Sequence, residues 1–390
     1  MSNKTALSEG WKTYRFDQMA ENINERVLPA DAEGLPYVGL EHLDSESLKI
    51  RRWGSPDEVE AQKLRFYLGD IIFGKRRYYQ KKLAVADFDG ICSAHAMVLR
   101  AKSDVVLPKF LPFFMQSEVF FERAIAISVG SLSPTINWTA LARQEFPLPP
   151  LDEQCRIAEI LWATEEAIEG WLTVSEQLSD FRGRLPTEKL RSGSEKQIVS
   201  VDDILIDIQY GSSVAAFETG QFPILRIPNV LNGEVDLADL KWIDLPGADF
   251  DRYALREGDI LIVRTNGNPD YVGRSAVVDQ TVPARSVFAS YLIRLQIDQS
   301  RIRPDYLREI INSPEFRRSL RGEIKSSAGN YNLNTKGIKR QKITLPPIDI
   351  QDQLLVDLKL IDQQIKLVKT NIENLRSIKK RVFLESIGNA

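Results

Sequence analysis

The chain carries a long internal repeat, and this feature restricts its fold more than any other. The segment LPPLDEQ at Leu148–Gln154 returns as LPPIDIQ at Leu345–Gln351, and GDII at Gly69–Ile72 returns as GDIL at Gly258–Leu261. Further matches keep the same order along the chain, and their offset grows slowly from 187 to 197 residues. Solenoid repeats have much shorter periods, of about 20–50 residues. The sequence therefore predicts one domain that is present twice.

The composition restricts the class of protein. With 390 residues, of which 43% are hydrophobic and 27% charged, the chain can build two or three domains that each have a core. It contains no apolar run of the ~18 residues that a membrane span needs, and its first residues form no apolar signal segment. We therefore expect a cytoplasmic protein without a membrane segment. Its two cysteines and two histidines are too few for a disulfide framework, and we expect no metal site.

The charged residues are distributed unevenly, although the net charge is only −3. Seven Lys and Arg residues lie between Ala61 and Lys82 with a single acid, and eight lie between Arg317 and Lys342 with a single acid. Each copy therefore has one basic concentration, and the net charge does not exclude a nucleic-acid partner.

Each copy begins with short apolar runs between turn residues, which predict strands, and ends with a long, polar, periodic segment. Apolar residues in the long segments recur at alternating steps of three and four, which is typical of paired coiled-coil helices. A buried helix face in a larger core is the alternative. The predicted seam positions are Ile157, Ile160, Thr164, Ala167, Trp171, Val174, Leu178 and Phe181 in the first segment, and Leu354, Leu358, Ile361, Ile365, Val368, Ile372 and Leu375 in the second.

We therefore predict an α+β fold with two similar α/β domains in tandem, at residues 1–150 and 185–347. Two long antiparallel coiled-coil helices, at residues 151–184 and 348–388, would separate them with pseudo-two-fold symmetry. The stretch Arg182–Glu195 is rich in Gly, Ser and charge and contains Pro186, which indicates a linker.

The basic segment of the first copy has the residue types of a nucleic-acid surface. Charged groups there alternate with aromatic rings and an amide, which can contact phosphates and base edges. We predict DNA contacts by Lys75, Arg76, Arg77, Tyr78, Tyr79, Gln80, Lys81 and Lys82. A solvated basic loop is the alternative.

In the second copy, a guanidinium and two amides directly follow a strand-like run. Arginine can pair bidentately with guanine and asparagine with adenine. We predict DNA contacts by Arg264, Thr265, Asn266, Asn268, Arg274, Asn330, Tyr331 and Asn332. Ordinary turns are the alternative.

Catalytic motifs are incomplete. Gly69–Lys75 approximates a phosphate-binding loop, but Arg76 replaces the hydroxyl residue that would hold Mg²⁺. Asn268–Tyr271 approximates the Asn-Pro-Pro-Tyr tetrapeptide of N6-adenine methyltransferases, but Asp270 replaces the second proline. We therefore predict no catalytic residue and no cofactor in this chain.

The order of these segments resembles the specificity subunit of Type I restriction–modification systems over essentially the whole chain. The resemblance is carried by FGKRRYYQKKLAVADFDGICSAHAMVLRA at Phe73–Ala101, SVGSLSPTINWTALARQEFPLPPLDEQCRIAEILW at Ser128–Trp162 and RTNGNPDYVGR at Arg264–Arg274. The second copy departs from the first by having Asp349, Gln351 and Gln353 where the first has Glu153–Gln154.

This resemblance implies a non-catalytic protein whose two target-recognition domains each read one half of a bipartite double-stranded DNA target. The long helices would hold the domains apart and bind two methyltransferase (M) subunits. The helix residues expected to contact them are Gln154, Trp162, Trp171, Gln351 and Leu355. S-adenosylmethionine, ATP and Mg²⁺ would belong to partner subunits, and the participation of restriction (R) subunits is left open. A self-contained DNA methyltransferase or nuclease and a two-sided protein scaffold remain alternatives.

Overall fold

The chain forms two compact units in the computed structural model, which describes residues 10–45, 47–76, 78–130, 134–192, 196–327 and 329–386. The first unit combines Met1–Gln177 with Lys366–Ala390, and the second unit is Leu178–Ile365. Each unit therefore contains one copy of the repeat and part of both long helices, and the predicted α+β class with two tandem domains is confirmed.

Among its described residues the first unit contains ten short strands, four short helices, four 3-10 segments and parts of both long helices. The strands are β1 (Lys12–Arg15), β2 (Ala20–Ile23), β3 (Arg26–Val27), β4 (Tyr37–Val38), β5 (Lys63–Phe66), β6 (Ile71–Gly74), β7 (Leu83–Val85), β8 (Gly90–Cys92), β9 (Ala96–Ala101) and β10 (Glu145–Leu148). The helices are α1 (Phe16–Met19), α2 (Leu111–Phe114), α3 (Glu118–Ala126), α4 (Trp138–Ala142) and the start of α5 (Leu151–Ser192), and the 3-10 segments are Pro29–Asp31, Leu40–His42, Pro56–Glu58 and Tyr78–Gln80.

The strands of the first unit form two four-stranded sheets and one two-stranded sheet. Their orders are β2-β9-β6-β7, β3-β5-β8-β4 and β1-β10. Strand β6, with the apolar run IIFG, is buried along its whole length. It lies between β7 and β9, and its side chains face the core on both sides of the sheet.

The described residues of the second unit form twelve strands, the remaining helices and the end of α5. The strands are β11 (Gln197–Ser200), β12 (Leu205–Tyr210), β13 (Phe222–Leu225), β14 (Lys241–Ile243), β15 (Ile260–Val263), β16 (Thr265–Asn266), β17 (Ser275–Val277), β18 (Val287–Phe288), β19 (Leu292–Ile297), β20 (Lys325–Ser327), β21 (Asn330–Asn332) and β22 (Lys342–Leu345). The helices are α6 (Gly247–Tyr253), α7 (Pro304–Asn312), α8 (Pro314–Arg321), α9 (Thr335–Lys339) and the start of α10 (Ile348–Ser386), and the 3-10 segments are Val201–Ile204 and Ile227–Val230. The sheets are β12-β19-β15-β17, β14-β13-β18, β16-β21-β20 and β11-β22.

The two units share the topology of two of their sheets. The sheet β2-β9-β6-β7 corresponds to β12-β19-β15-β17, and the pair β1-β10 corresponds to β11-β22. Gly69 and Gly258 occupy the same turn before β6 and β15, and both have φ +87°, a backbone conformation that favours glycine. The duplication read from the sequence is therefore a duplication of structure.

The two cores have different compositions. In the first unit the core is rich in phenylalanine, and the ring of Phe120 lies 5.5 Å from Phe16 and 5.7 Å from Phe73 and from Phe146. In the second unit the main cluster is mostly aliphatic, with Tyr306 as its largest fully buried side chain. Each unit therefore has a core of its own.

The long helices begin directly after the proline pairs, at Leu151 and Ile348, with an acidic residue in the first turn of each. Of the seven seam positions predicted for α10, Leu354, Leu358, Ile361, Val368 and Ile372 are buried, whereas Ile365 and Leu375 are half-buried. Leu354 and Leu358 belong to the core of the second unit, as the alternative of a buried helix face in a larger core predicts. On α5 the predicted seam positions Val174, Phe181 and Ile160 are wrong, because Val174 is 37% exposed and Phe181 is 42% exposed, and Ile160 is exposed as well. The error at Ile160 is a shift by one residue. The side chain of Ile160 is 42% exposed, whereas the next residue, Leu161, is fully buried.

The predicted linker is also wrong up to Ser192, because α5 continues through Pro186. Proline removes a backbone hydrogen bond inside a helix. Ion pairs hold this turn in place in the second unit: Arg182 contacts Asp362, and Lys189 contacts Asp357. The order of these contacts shows that α5 and α10 run antiparallel there. Within the described part of the chain, no helix is both long and apolar enough to cross a membrane.

Candidate nucleic-acid interface

In the second unit, two polar segments that are distant in the sequence lie side by side in one sheet. Strand β16 pairs with β21, with Thr265 opposite Asn332 and Asn266 opposite Tyr331. Strand β20 pairs with the other edge of β21, with Lys325 opposite Asn332. The structure therefore brings together residues that the sequence analysis selected separately.

The first unit contains the same arrangement in a shorter form. Thr135 forms β-bridges with Arg76 on one side and Val129 on the other. Next to these bridges, the backbone N–H of Ile136 donates to the carbonyl of Lys75 at 3.0 Å. Each unit therefore has one such group, which we call its small ladder. In the first unit it consists of Arg76, Thr135 and Val129, and in the second unit it is the sheet β16-β21-β20.

The backbone hydrogen bonds beside the small ladder match between the units. In the second unit the N–H of Leu333 donates to the carbonyl of Arg264 at 2.9 Å. Arg264 therefore corresponds to Lys75, and Asn332 corresponds to Thr135. Both units place polar residues on the same backbone scaffold.

The side chain of Arg264 is held in position by its neighbours. Its guanidinium lies 4.5 Å from the ring centroid of Tyr210, and Nη1 donates to the carbonyl of Ser290 at 3.4 Å. Its Nε is buried and has no hydrogen-bond partner among the described residues. A positioned arginine of this kind is suited to directional hydrogen bonds with a ligand.

The turn after β16 uses the amide oxygens of two asparagines. Asn266 Oδ1 accepts from the N–H of Asn268 at 2.8 Å, and Asn268 Oδ1 accepts from the N–H of Asp270 at 2.9 Å. Arg274 donates to the carbonyls of Asp270 and Leu231, both at 3.2 Å. These contacts fix the shape of the turn, and each amide keeps its Nδ2 group as a donor.

Exposure differs along the small ladder of the second unit. Asn330 is exposed, whereas Thr265, Asn266, Tyr331 and Asn332 are half-buried. All five therefore keep some surface that a ligand can contact.

In the first unit, Arg76 and Tyr79 are the most exposed described members of the basic segment Lys75–Lys82. Arg76 Nη1 lies 3.2 Å from His95 Nε2. Burial, together with the charges of Arg76 and Lys75, lowers the pKa of His95. Burial and the nearby Arg26 lower the pKa of Lys75. Positive charge is therefore concentrated and only partly hydrated at this end of the small ladder.

Tyr78 does not fit the predicted role of DNA contact. Its side chain is only 7% exposed and belongs to the core, and its hydroxyl accepts a hydrogen bond from Ser128 Oγ at 3.3 Å. A buried ring cannot stack on a base, so we remove Tyr78 from the candidate set. Arg77 lies outside the described residues.

The end of the basic segment is bound within the unit. Lys81 pairs with Glu118 at 2.8 Å, and Lys82 Nζ donates to the carbonyl of Leu40 at 2.6 Å. Gln80 is half-buried. The two lysines hold the turn, and a DNA contact would compete with these contacts.

The sequence of the chain matches the Type I restriction modification DNA specificity domain twice, over residues 8–174 and 206–377. The chain belongs to this family. Each match covers one small ladder and includes the start of one long helix.

Curated members of the family have similar sequences over nearly the whole chain. The Type I restriction enzyme EcoKI specificity subunit of Escherichia coli (strain K12) is 27% identical, over 98% of this chain and 87% of that protein. The Type I restriction enzyme StySPI specificity subunit of Salmonella potsdam is 24% identical, over 98% of this chain and 90% of that protein.

Solved structures have the same fold. A chain from a type I R-M system, solved in work on its complex assembly and conformational transition, has a TM-score of 0.59 and 20% identity, and covers 98% of this chain and 99% of its own. The S subunit of a Type I restriction-modification system from M. genitalium has a TM-score of 0.57 and 14% identity, with 99% of each chain covered.

Gln154 was predicted to contact a methyltransferase subunit, and this prediction is wrong. The side chain is 1% exposed, and Nε2 donates to the carbonyls of Val105 at 3.1 Å and Pro149 at 2.9 Å. Oε1 accepts from the N–H of Leu107 at 2.9 Å. The bonds to Val105 and Leu107 tie the start of α5 to the loop before α2, and the bond to Pro149 holds the residues directly before α5.

The predicted partner contact at Gln351 is wrong for the same reason. It is fully buried, and Nε2 donates to the carbonyls of Arg301 at 3.0 Å and Pro346 at 2.9 Å. Oε1 accepts from the N–H of Arg303 at 2.8 Å. The glutamine of the LPP element is therefore a structural residue in both units.

The other three predicted partner contacts are half-buried. Trp162 donates its indole N–H to the carbonyl of Lys109 at 2.9 Å, and its ring lies 5.1 Å from that of Phe113. Leu355 packs against the core of the second unit, and Trp171 lies on α5 of the first unit. Trp162 and Leu355 thus bury most of their apolar surface within their own unit.

The sequence analysis missed a second apolar face on α10. Val356 and Leu360 are both 53% exposed. At ~100° per residue, Val356 lies roughly 160° around the helix from the buried Leu354 and Leu358. In the sequence, this face could have been found from the two apolar residues that lie outside the predicted seam.

Proposed function

We propose that this chain is the DNA-reading subunit of a Type I restriction–modification complex, with each unit reading one half of a bipartite target. The observation that carries the proposal is the small ladder, which recurs at matched positions in both units and holds hydroxyl, amide and guanidinium groups. These groups read base edges, whereas nearby lysines and arginines contact phosphates. The chain itself performs no catalysis. S-adenosylmethionine, and any ATP and Mg²⁺, would be bound by its partners.

The test is to map methylated adenines in host DNA with single substitutions in each small ladder. We expect Asn332→Ala to alter or abolish recognition of one half-site, and Thr135→Ala to affect the other half-site. Asn374→Ala, at an exposed position of α10, is the control and should leave the target unchanged. If both ladder variants affected the same half-site, the assignment of one half-site to each unit would be wrong.

Two further measurements separate this function from its alternatives. The logarithm of DNA affinity should fall linearly with the logarithm of salt concentration, because phosphate contacts release counterions. A protein scaffold that binds no DNA would not show this dependence. Methyl transfer by the purified chain alone would instead support a self-contained enzyme.

We also propose that the exposed apolar face of α10 binds a methyltransferase subunit. Val356 and Leu360 lie one turn apart on a surface that faces away from the buried seam. An exposed apolar patch on an otherwise polar helix is typical of a protein interface. On α5 of the first unit, Ile160 is 42% exposed and would serve a second copy of the same partner. Restriction subunits would join through the methyltransferase-bound complex.

Substitution of an apolar residue of this face by a charged one tests the interface. We expect Leu360→Glu to prevent co-purification of the methyltransferase while far-ultraviolet circular dichroism stays unchanged. Leu360→Met keeps the apolar surface and should keep the partner. Retention of the methyltransferase by Leu360→Glu and by Val356→Glu would overturn this placement.

A further inference from the structure

The second unit contains a cavity of about 750 Å³ that is rich in arginine. It lies beside the turn that follows β16 and against helices α7 and α8. The five arginines that line it are Arg182, Arg274, Arg308, Arg317 and Arg321, and the four acids are Glu234, Asp270, Glu309 and Asp362.

Two of the arginines are balanced by carboxylates. Arg182 pairs with Glu309 at 3.3 Å and with Asp362 at 2.5 Å. Arg308 pairs with Glu309 at 2.9 Å and with Asp305 at 3.5 Å. This part of the cavity is close to neutral.

The other three arginines share one carboxylate within the described residues. Arg321 pairs with the Asp270 carboxylate at 3.2 Å. Arg317 Nη2 donates to the backbone carbonyl of Asp270 at 2.7 Å, and Arg274 contacts backbone carbonyls at 3.2 Å. Arg317 Nη1 is buried and has no hydrogen-bond partner in the described part of the chain. Of these three arginines only Arg321 has an ion pair in the described part of the chain, and Glu234 is the one other acid of the lining that is not paired with Arg182 or Arg308.

The surroundings of Arg317 show the cost of this imbalance. Burial, and then the charges of Arg274 and Arg321, lower the pKa of Arg317, and Asp270 offsets this effect only in part. An anion that contacted all three guanidinium groups would relieve the repulsion among them.

The cluster is not required by the fold, because the first unit lacks it. Ser117 and Ser313 cap the equivalent helices α3 and α8 through a bond to the N–H three residues later. Counted from these caps, Phe121 corresponds to Arg317, and Ile125 corresponds to Arg321. Apolar residues therefore suffice at these positions for the helix and its packing.

The position of Asp270 connects the cluster to the small ladder. Asp270 lies in the turn that directly follows β16, and its N–H donates to Asn268 Oδ1 at 2.9 Å. It is also the residue that replaces the second proline of the tetrapeptide Asn268–Tyr271. The Asp270 and Arg321 side chains are 63% and 71% exposed, so an anion can reach them from solvent.

We propose that Arg274, Arg317 and Arg321 form a binding site for a backbone phosphate of the DNA, which displaces the Asp270 carboxylate. This inference rests on the proposed DNA-reading function and adds a contact that only the second unit makes. Guanidinium groups bind phosphate through paired, charge-assisted hydrogen bonds. Asp270 occupies the site in the free protein and so weakens binding of any DNA. The phosphate contact fixes register, and the neighbouring small ladder reads bases.

The test compares variants of the complete complex with its methyltransferase, using one duplex that contains the mapped target and one of equal length that does not. We expect Arg321→Ala to weaken binding of both duplexes about fivefold to tenfold, and to reduce the salt slope by ~0.9. Arg318→Ala, an exposed arginine on the same helix outside the cavity, is the matched control. Asp270→Asn should strengthen binding of both duplexes by about threefold.

The possible results are distinguishable. If Arg321→Ala matches Arg318→Ala in affinity and salt slope, while Asn332→Ala still alters recognition, the phosphate site is wrong and the DNA-reading function stands. If the wild-type complex shows no salt-dependent DNA binding, the proposed function itself fails. Pyrophosphate serves as the free-anion probe. If Arg321→Ala reduces pyrophosphate binding and leaves DNA binding unchanged, the site takes a free phosphate compound and the DNA assignment is overturned.

Discussion

Glu165 of α5 and Lys379 of α10 form a buried ion pair in the first unit. Lys379 Nζ lies 2.8 Å from Glu165 Oε2, and the two side chains are 11% and 3% exposed. Glu165 Oε1 also accepts a hydrogen bond from the N–H of Leu48 at 3.1 Å, and Lys379 Nζ lies 5.5 Å from the ring centroid of Phe113. One carboxylate therefore joins both helices to a loop of the recognition domain.

Removal of the Glu165 carboxylate should destabilise the first unit. Glu165→Ala leaves a buried ammonium group and a backbone N–H without this acceptor, which costs about 3–5 kcal/mol of unfolding free energy. Urea unfolding followed by circular dichroism measures the loss. Glu166→Ala, at the exposed neighbouring position, should change the value by less than ~0.5 kcal/mol. The double variant Glu165→Met/Lys379→Met should recover a large part of the loss. A loss in the double variant that equals the sum of the single losses would contradict this explanation.

The buried glutamines of the LPP elements should matter for stability rather than for partner binding. Gln154→Leu and Gln351→Leu keep the side-chain volume but leave one N–H and two carbonyls without their partner. We expect each variant to lose at least about 2 kcal/mol of unfolding free energy. Thermal and urea unfolding measure this effect, with Gln177→Leu at an exposed position of α5 as the control. Loss of methyltransferase binding at unchanged stability would instead restore the role predicted from the sequence.

The parts of the fold that the sequence predicted depend on local patterns. Repeated segments revealed two similar units, proline pairs marked the starts of α5 and α10, and the apolar period of α10 identified its buried seam. Periodicity reports burial well where polar and apolar positions alternate cleanly. The sequence predicted DNA contacts by the polar segments at Arg264–Asn268 and Asn330–Asn332, but it did not predict that the two segments pair in one sheet.

The errors share a physical cause. Polar groups that look exposed in the sequence form hydrogen bonds or ion pairs with residues elsewhere in the fold. Gln154 and Gln351 look like surface residues in the sequence, but backbone groups of a distant loop satisfy their amides. Tyr78 lies among basic residues and is nevertheless buried. The helix continues past Pro186 because ion pairs to α10 support its last turns. Apart from the carbonyls of Pro149 and Pro346, these partners are distant in sequence, so no local pattern reports them.

The two cysteines should differ strongly in reactivity. Burial raises the pKa of Cys92 to about 12. Cys155 is exposed, and its hydrogen bond to Glu159 at 3.5 Å and the charge of Glu159 raise its pKa. Because the thiolate is the reactive form, a maleimide at pH 8 should modify Cys155 and leave Cys92 unmodified until the protein unfolds.

Substitution of Glu159 tests the cause of this shift. Glu159→Gln removes the negative charge, so the pKa of Cys155 should fall and its labelling at pH 8 should become faster. The labelling rate of the wild-type protein should reach its plateau at a higher pH than that of the variant. Glu166→Gln is the control, because Glu166 is exposed on the same helix and does not contact Cys155. Equal rates for the two variants would show that Glu159 does not set the pKa.

The ring of Tyr210 should strengthen DNA recognition by the second unit, although we assign it no contact with DNA. It lies 4.5 Å from the Arg264 guanidinium, and its hydroxyl accepts a hydrogen bond from the N–H of Thr335 at 3.2 Å. Tyr210→Leu removes the ring that positions Arg264, an interaction worth about 1 kcal/mol. We therefore expect binding of the target duplex to weaken about fivefold. Tyr210→Phe keeps the ring and should bind nearly as well as the wild type.

The salt dependence of the Tyr210→Leu complex distinguishes two roles for Arg264. If Arg264 reads a base edge, the variant loses discrimination between target and non-target duplexes while its salt slope stays the same. If Arg264 contacts a phosphate, both duplexes weaken equally and the slope falls by about one. We expect the first result, because Arg264 lies beside the small ladder, whereas the proposed phosphate site lies at Arg274, Arg317 and Arg321. Unchanged affinity and unchanged discrimination in Tyr210→Leu would remove Arg264 from the recognition surface.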